Sequence, residues 1–441
     1  MIGSTATDEV ATDRGVGART LLGISLFWVA LSFLSDGMVA LVLPVHLEAI
    51  GRADPGVLGV VGFLGLVAGM LTQPLAGAVS DRLRPKRGRT PVLLVGTVGA
   101  VAALAMLAAA RSVPAIALSF VLVGIGAAVA QSAQQAYVPD LVPPRQRGVA
   151  GGMKGLMDVG GAALGFVVLG AVLELRGATS AIMVVGLVAL AAAAATRAMV
   201  REPRAPRTPL PRITLAGLVR LDRRRDRSFL LTVATRFLFL LATFAVGRFL
   251  LFFIEDRVLP GSEMVAAETG AILGVLALVT ALSAPAAGWA ADRWGRHPVM
   301  LGGAILSAIG VALLTLATTL GGVVAFGSLM ALGSAAFTAA NWARLADTSP
   351  SEEGGRYLGL ANIGTAGAAA VAGLLGVLIE RGGGGPGGGY GSLFLACGLL
   401  FAASAALVVV DRAGSDAVSR TGGGRAAVSR MGVGREETGH G

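Results

Sequence analysis

The stretch "GAVSDRLRPKRGRTP", Gly77 to Pro91, lies between two long apolar runs and sets Arg82, Arg84, Lys86, Arg87 and Arg89 around one acid, Asp81. Some two hundred residues later, "GWAADRWGRHP", Gly288 to Pro298, repeats the figure around Asp292, 211 residues after Asp81. A second pair keeps nearly the same offset. Asp140 in "VPDLVPPRQRG" and Asp347 in "LADTSPSEEGGR" stand 207 residues apart. Each member of a pair follows an equivalent apolar run, so the chain reads as a duplicated unit of six apolar segments.

Composition sets the class. Of 441 residues, 54% are hydrophobic and only 14% charged, with a mean hydropathy of +0.76. A soluble domain carries about 25% charged residues. Runs of about 20 apolar residues, the length that crosses a bilayer as a helix, recur throughout. They predict twelve spans near 20–43, 56–79, 91–110, 114–137, 149–173, 178–199, 228–254, 264–287, 299–319, 321–343, 357–379 and 391–410. The expected fold is an all-α membrane protein with twelve transmembrane helices in two six-helix halves. Because both halves start on the same side, the repeats are parallel, related by an axis along the membrane normal. Gly151, Gly155, Gly161 and Gly165 in the fifth span suit close helix contacts.

Charge gives orientation. With the N-terminus inside, inner segments hold 28 basic residues and outer loops five, with Lys154, Arg236 and Arg248 left in spans. That asymmetry places both termini in the cytoplasm, with the first span retained as an anchor. Although the net charge is +10, the basic excess is spread along one membrane face, which speaks for contact with membrane lipids and against nucleic acid. The arginine-rich, Ala/Gly-rich composition suggests a GC-rich bacterial source, hence the cytoplasmic membrane.

The layout is then a cytoplasmic segment (1–19), a first half (20–200), a linker (201–227), a second half (228–410) and a disordered cytoplasmic tail (411–441). The linker offers a short amphipathic helix, "ITLAGLVRL". The outer "GGGGPGGGYG" lacks the Lys-Ser/Thr ending of a phosphate loop and reads as flexible. One cysteine, Cys397, and three scattered histidines (His46, His297, His440) give no disulfide, metal cluster or nucleophile–base set. No cofactor is expected, and an enzyme is not.

The pattern Gly-x-x-x-Asp-Arg-x-Gly-Arg between spans eight and nine (Gly288, Asp292, Arg293, Gly295, Arg296) resembles the signature loop of the major facilitator superfamily. The copy between spans two and three keeps Gly77, Asp81, Arg82 and Arg89 with an expanded middle. The resemblance covers nearly all of 20–410 and implies a monomeric secondary transporter working by alternating access on a small-molecule substrate. It also implies that these loops hold the cytoplasmic side shut, glycine allowing close approach to a helix of the other half. Arg145 or Arg147 are candidate partners for Asp81, and Arg356 for Asp292. The drug:proton antiporter branch carries an arginine where Phe120 stands and a Gly-Pro in span five, which has no proline here. "AYVPDLVPPRQRG" and "SDRLRPKRGRTP" are closer to the glycoside–cation and sucrose-type proton symporters. That implies a sugar or glycoside moved with protons. Efflux of drugs or amphiphilic metabolites, and a non-transporting receptor or assembly factor on the same scaffold, are the alternatives.

Charges inside spans point to candidate sites, since each costs about 2.5–3.5 kcal/mol at a helix centre on insertion scales. On span one, Trp28, Ser32, Ser35 and Asp36 fall within about 100° of arc. Asp36 is either solvated by a vestibule or engaged with ligand or proton. Lys154 and Asp158, four apart on span five, make either a structural ion pair or a coupling device. Arg236 lies about 12 Å into span seven, where it either snorkels inward or meets substrate; Arg248 is read as reaching the outer interface. Gln131, Gln134 and Gln135 share a face of span four, Ser334, Thr338, Asn341 and Trp342 one of span ten, and span eleven offers Asn362. Such residues are either helix–helix glue or substrate contacts. Spans one, four, seven and ten line the central cavity in the resembling family, which implies a polar substrate path there. Protons are the expected coupling ion, with Asp36, Lys154 and Asp158 as the coupling set.

Overall fold

The structure is a computed structural model describing residues 16–52, 54–143, 146–202, 226–348, 354–381 and 389–432. The linker amphipathic helix and nearly all of the glycine-rich outer loop lie outside these. Among the described residues all regular structure is helical, and ten helices are long and apolar enough to cross a membrane. One of them, Val149–Met199, would extend about 77 Å, more than twice the hydrocarbon core. It folds back at Gly177, whose φ of 77° and ψ of 176° are open essentially to glycine alone. Counting that pair as two and adding the shorter apolar helix Gly364–Ile379 gives the twelve expected spans.

In chain order they are α1 (Ala18–Glu48), α2 (Pro55–Arg87), α3 (Thr90–Ala109), α4 (Val113–Leu141), α5 (147–176), α6 (178–199), α7 (Arg227–Phe253), α8 (Val265–Trp294), α9 (Arg296–Leu314), α10 (Leu320–Thr348), α11 (Gly354–Ala372) and α12 (Tyr390–Gly432). Three helices change pitch, α7 by a π-helical last turn, Ile254–Val258. Phe33–Val42 of α1 is π-helical, and Gly373–Gly376 after α11 is 3₁₀ before a last turn, Val377–Arg381. The last helix runs on past Asp411 to Gly432, where the sequence led us to expect a disordered tail. Asp411 is itself buried in a polar cluster, described below.

The duplication is visible in the packing. Gly96 of α3 meets Gly126 and Ala130 of α4, and Gly303 of α9 meets Gly333 and Phe337 of α10. Both glycine pairs are offset by 207 residues. A methyl group at either Gly96 or Gly303 would collide with the facing backbone, so each crossing depends on a missing side chain. In the fifth span only part of the glycine stripe is used. Gly161 faces Val29 and Gly165 faces the Phe33 ring, while Gly151 and Gly155 have open space. The second half fills its core with aromatics, Phe239 stacking on Phe337 with ring centroids 3.9 Å apart.

Candidate functional site: a polar cavity between two clasped halves

The repeated loops close each half on itself. α2 ends at Gly88 (φ 74°) and α8 at Gly295 (φ 94°), and the next residue, Arg89 or Arg296, starts the following helix. The first copy's expanded middle is one additional helical turn of α2. Arg89 is 6% exposed and bridges Asp81 at 2.6 Å to Asp140 at 2.5 Å, while Arg84 reaches Asp140 at 3.1 Å. Arg296 likewise pairs with Asp292 and with Asp347 at 3.4 Å. Both aspartates thus take the arginine of their own loop as partner; Arg145 lies outside the described residues, as do the side chains of Arg147 and Arg356. Arg82 is exposed, and Arg293 stands 6.0 Å over the Trp289 ring.

A further acid completes each clasp, and sequence reasoning missed it. Glu202, just beyond α6, accepts the Arg89 and Thr90 backbone N–H groups at 2.5 and 2.8 Å and the Thr90 hydroxyl, with the Tyr137 hydroxyl at 3.4 Å. A carboxylate at a helix N-terminus meets unsatisfied N–H groups and the positive end of the dipole. In the second half Asp411 takes the same place. It pairs with His297 at 2.9 Å and Arg344 at 3.1 Å and accepts the Ser228 hydroxyl at 2.6 Å. Thr90 and His297, Tyr137 and Arg344, Glu202 and Asp411 stand 207, 207 and 209 residues apart. The signal was present as the offset, without charges at every position to mark it.

The ion pairs of these clasps each join two residues of one half. The halves meet instead at the end opposite these loops. Gly59 of α2 abuts the Gly373 carbonyl, and a methyl group on Gly376 would lie 2.7 Å from the Pro55 carbonyl oxygen. On the other flank, a methyl group on Gly170 of α5 would lie 2.8 Å from the Ala266 carbonyl of α8, and Gly270 abuts the Phe166 carbonyl. At the loop end Gly77 and Gly288 have no atom within 4 Å of a would-be Cβ. The close interhelical approach expected of these two glycines is absent here, because the halves are apart at their end.

Between the halves lie the charged residues of the spans. Ser32 donates to Asp158 Oδ1 at 3.0 Å and to the Asp158 carbonyl at 2.8 Å, tying α1 to α5. Lys154 Nζ sits 3.9 Å over the Trp28 ring. From the second half, Arg236 stands 4.5 Å over the Trp342 ring and donates Nε–H to Thr365 Oγ1 at 2.9 Å and Nη1–H to Asn341 Oδ1 at 3.2 Å. Each half thus has one cation–indole pair within its spans, worth about 0.5–2 kcal/mol depending on desolvation. Asp36 lies in the π-helical stretch of α1 within electrostatic range of Asp158.

Other expected contacts are used differently. Gln134 is 1% exposed and donates to the Ile24 carbonyl, so it joins α4 to α1. Gln135 accepts from Gln73 Nε2 at 3.1 Å, joining α4 to α2. Gln131 and Thr338 are half-buried, and Asn362 is exposed. Arg236 does not snorkel: it is 5% exposed. Arg248 does not reach the interface either. It is 6% exposed, wedged by Gly62 and Gly373, with its Nη1 unpartnered. Thr365 was not anticipated.

Two six-helix halves that meet at one end, with charged residues buried in their spans, define a multi-pass membrane transporter fold. The Major Facilitator Superfamily profile matches residues 25–267 and again 258–433. The chain belongs to the Major Facilitator Superfamily. A structure of a point mutant of the nucleoside transporter NupG superposes with a TM-score of 0.70 at 14% identity, covering 89% of this chain and 99% of that one. The peptide transporter POT in complex with sulfate gives 0.71 at 13% identity, covering 94% and 98%. A POT family transporter in complex with 5-aminolevulinic acid gives 0.68 at 13%, covering 89% and 94%. These likenesses are of fold. No curated protein matches the sequence significantly.

Proposed function

We propose that the protein is a secondary active transporter of a small polar organic solute, working by alternating access and coupled to protons. The observation that carries this is the asymmetry of closure. Glycine-to-backbone contacts seal one end, whereas at the end with the repeated loops Gly77 and Gly288 meet no neighbouring helix. A scaffold protein has no use for a polar cavity open at one end. Taking the loop end as cytoplasmic, from the basic excess of its segments, this conformation faces inward. A sugar or glycoside, the solute implied by the symporter resemblance, is one of the small polar class, and the fold is shared with nucleoside and peptide transporters. The reading is tested by solute uptake into proteoliposomes under an imposed pH gradient. Accumulation that collapses with a protonophore is expected; uptake that ignores the gradient refutes the coupling.

Orientation has its own test. In a background lacking Cys397, cysteines at Arg84, Leu215 and Arg425 should be shielded from impermeant thiol reagents in intact cells, and one at Gly384 should label. Labelling at Leu215 from outside overturns the termini-inside arrangement.

The loops are proposed to pair across the halves when the inner end closes. Asp81→Asn removes one of the two acids on a buried arginine, while Asp292 is 73% exposed and its pair is screened by solvent. Both variants should express and transport more slowly, Asp81→Asn by the larger factor, with less outward-facing protein by accessibility labelling. Wild-type rates in both would reduce these loops to topology signals.

A further inference from the structure

The membrane-spanning part of α7 carries more positive charge than the protein neutralises. Arg236 touches Thr365, Asn341 and Trp342, none of them acidic. Lys154 has Asp158 one turn along its helix and within its electrostatic reach. Arg248, about 18 Å farther along α7 by helix rise, is also buried and without an acid partner. Among the described residues no ion pair reaches either arginine. A guanidinium does not shed its proton in a protein, so both charges are permanent. An unpaired buried charge is costly and is retained where a counter-charge arrives from elsewhere.

We infer that Arg236 holds the acid group of an organic anion, a carboxylate or phosphate ester, in the central cavity, with Lys154 as the second cation. The inference rests on the transport reading and narrows its solute to an acidic one. Of the five N–H groups of Arg236, one is taken by Thr365 and one by Asn341, which fixes the guanidinium plane and leaves three for a ligand. Lys154, over the Trp28 ring, is the basic residue that the first half holds within its spans. The ring of Trp342, 37% exposed, extends beside the guanidinium as an apolar platform for the body of the solute. A neutral sugar needs hydrogen-bonding groups but gives an uncompensated arginine nothing to balance. The acids nearby do not fill the role. Asp158 accepts the Ser32 hydroxyl, with Lys154 one turn away on its own helix, and among the described residues no ion pair joins Asp36 or Asp158 to Arg236.

The test is thermal unfolding of the purified full chain in detergent at constant ionic strength, with matched probes: glucose 6-phosphate against glucose, gluconate against glucose, and malonate against malonamide. At least one acid should raise the melting temperature while its uncharged partner does not. Arg236→Gln should melt higher than wild type without ligand, because an uncompensated charge is gone. It should bind the acid about 10–100-fold more weakly, the scale of one charge-assisted bond. Arg236→Lys, which keeps the charge, should retain the acid preference with weaker binding, and it carries the test if Arg236→Gln does not fold. Stabilisation by no acid, equal stabilisation by a neutral partner, or undiminished binding by Arg236→Gln overturns the inference. So does a ligand-free Arg236→Gln that melts lower, which would make Arg236 a structural tie. Uptake separates the two readings. Liposomes that move glucose but none of the acids refute the anion and leave transport standing; acids that bind without moving refute transport and leave the anion site.

Discussion

Valine in place of Gly59 should nearly abolish transport and hold the protein with its glycine-sealed end open. A Cβ at Gly59 would run into the Gly373 carbonyl, and the obstruction is backbone, which no rotamer change relieves. Overpacking of this kind costs about 1–3 kcal/mol. If the two conformations lie near balance, that shifts their ratio by a factor of about 5 to 150. The readout is the distance between spin labels on cysteines at Arg111 and Leu316, exposed residues in end loops of opposite halves, in a background lacking Cys397. It should lengthen in Gly59→Val. Gly77→Val is the contrasting variant. Nothing lies within 4 Å of a Cβ there, so the sealed end keeps its distance and transport falls because the loop end cannot close. A Gly59→Val protein with wild-type rate and unlengthened distance would mean that these contacts are not a seal.

The duplication was legible because charge at a helix end is costly to misplace and so marks the repeat openly, at Asp81 and Asp292 and at Asp140 and Asp347. Gly96 with Gly126 and Gly303 with Gly333 carry the same offset. Glycine is so common in this chain, at 65 residues, that only the crossing helices pick these out. The cavity was legible in part. Arg236, Trp342 and Asn341 touch one another in the second half, and Lys154 touches Trp28 and Asp158 touches Ser32 in the first, as their helix faces suggest. Gln134 does not, because rotation of α4 about its axis decides between a neighbour's carbonyl and the cavity, and sequence leaves that rotation open. Arg248 was undervalued for the same kind of reason. Distance from the span end suggested an escape to the interface, whereas the crevice made by Gly62 and Gly373 exists only once three helices are packed. Glu202 sits just beyond the last membrane helix of its half and Asp411 past the apolar part of α12, where an acid looks like ordinary surface composition until the chain brings it to the start of the third helix.

Asp36→Asn should abolish uphill, pH-driven accumulation while leaving exchange of substrate between equal pools. The argument starts from which charges in the cavity are already matched. Asp158 has Lys154 one helical turn away on its own helix and accepts the Ser32 hydroxyl, so it has a cation and a donor beside it. Asp36 has no basic partner, and what it senses is Asp158, a like charge. For a carboxylate so placed, the proton is the counter-charge that can come and go, which is what coupling requires. Its position favours the role. The π-helical stretch Phe33–Val42 around it turns more slowly per residue than an α-helix, and such segments are frequent at functional sites. Gly37 next to it packs directly on Leu169 of α5, so a shift of α1 against α5 alters the surroundings of Asp36 at once. Asparagine keeps the shape and most hydrogen bonds but cannot take up or release a proton. Accumulation in proteoliposomes under a pH gradient should therefore fall to the equilibrium level, and counterflow should persist near the wild-type rate. Asp158→Asn leaves Lys154 uncompensated against Arg236 and should impair binding as well as accumulation. If Asp158→Asn alone uncouples while Asp36→Asn accumulates normally, the proton site is on α5; if both accumulate against a gradient, neither carboxylate carries the proton.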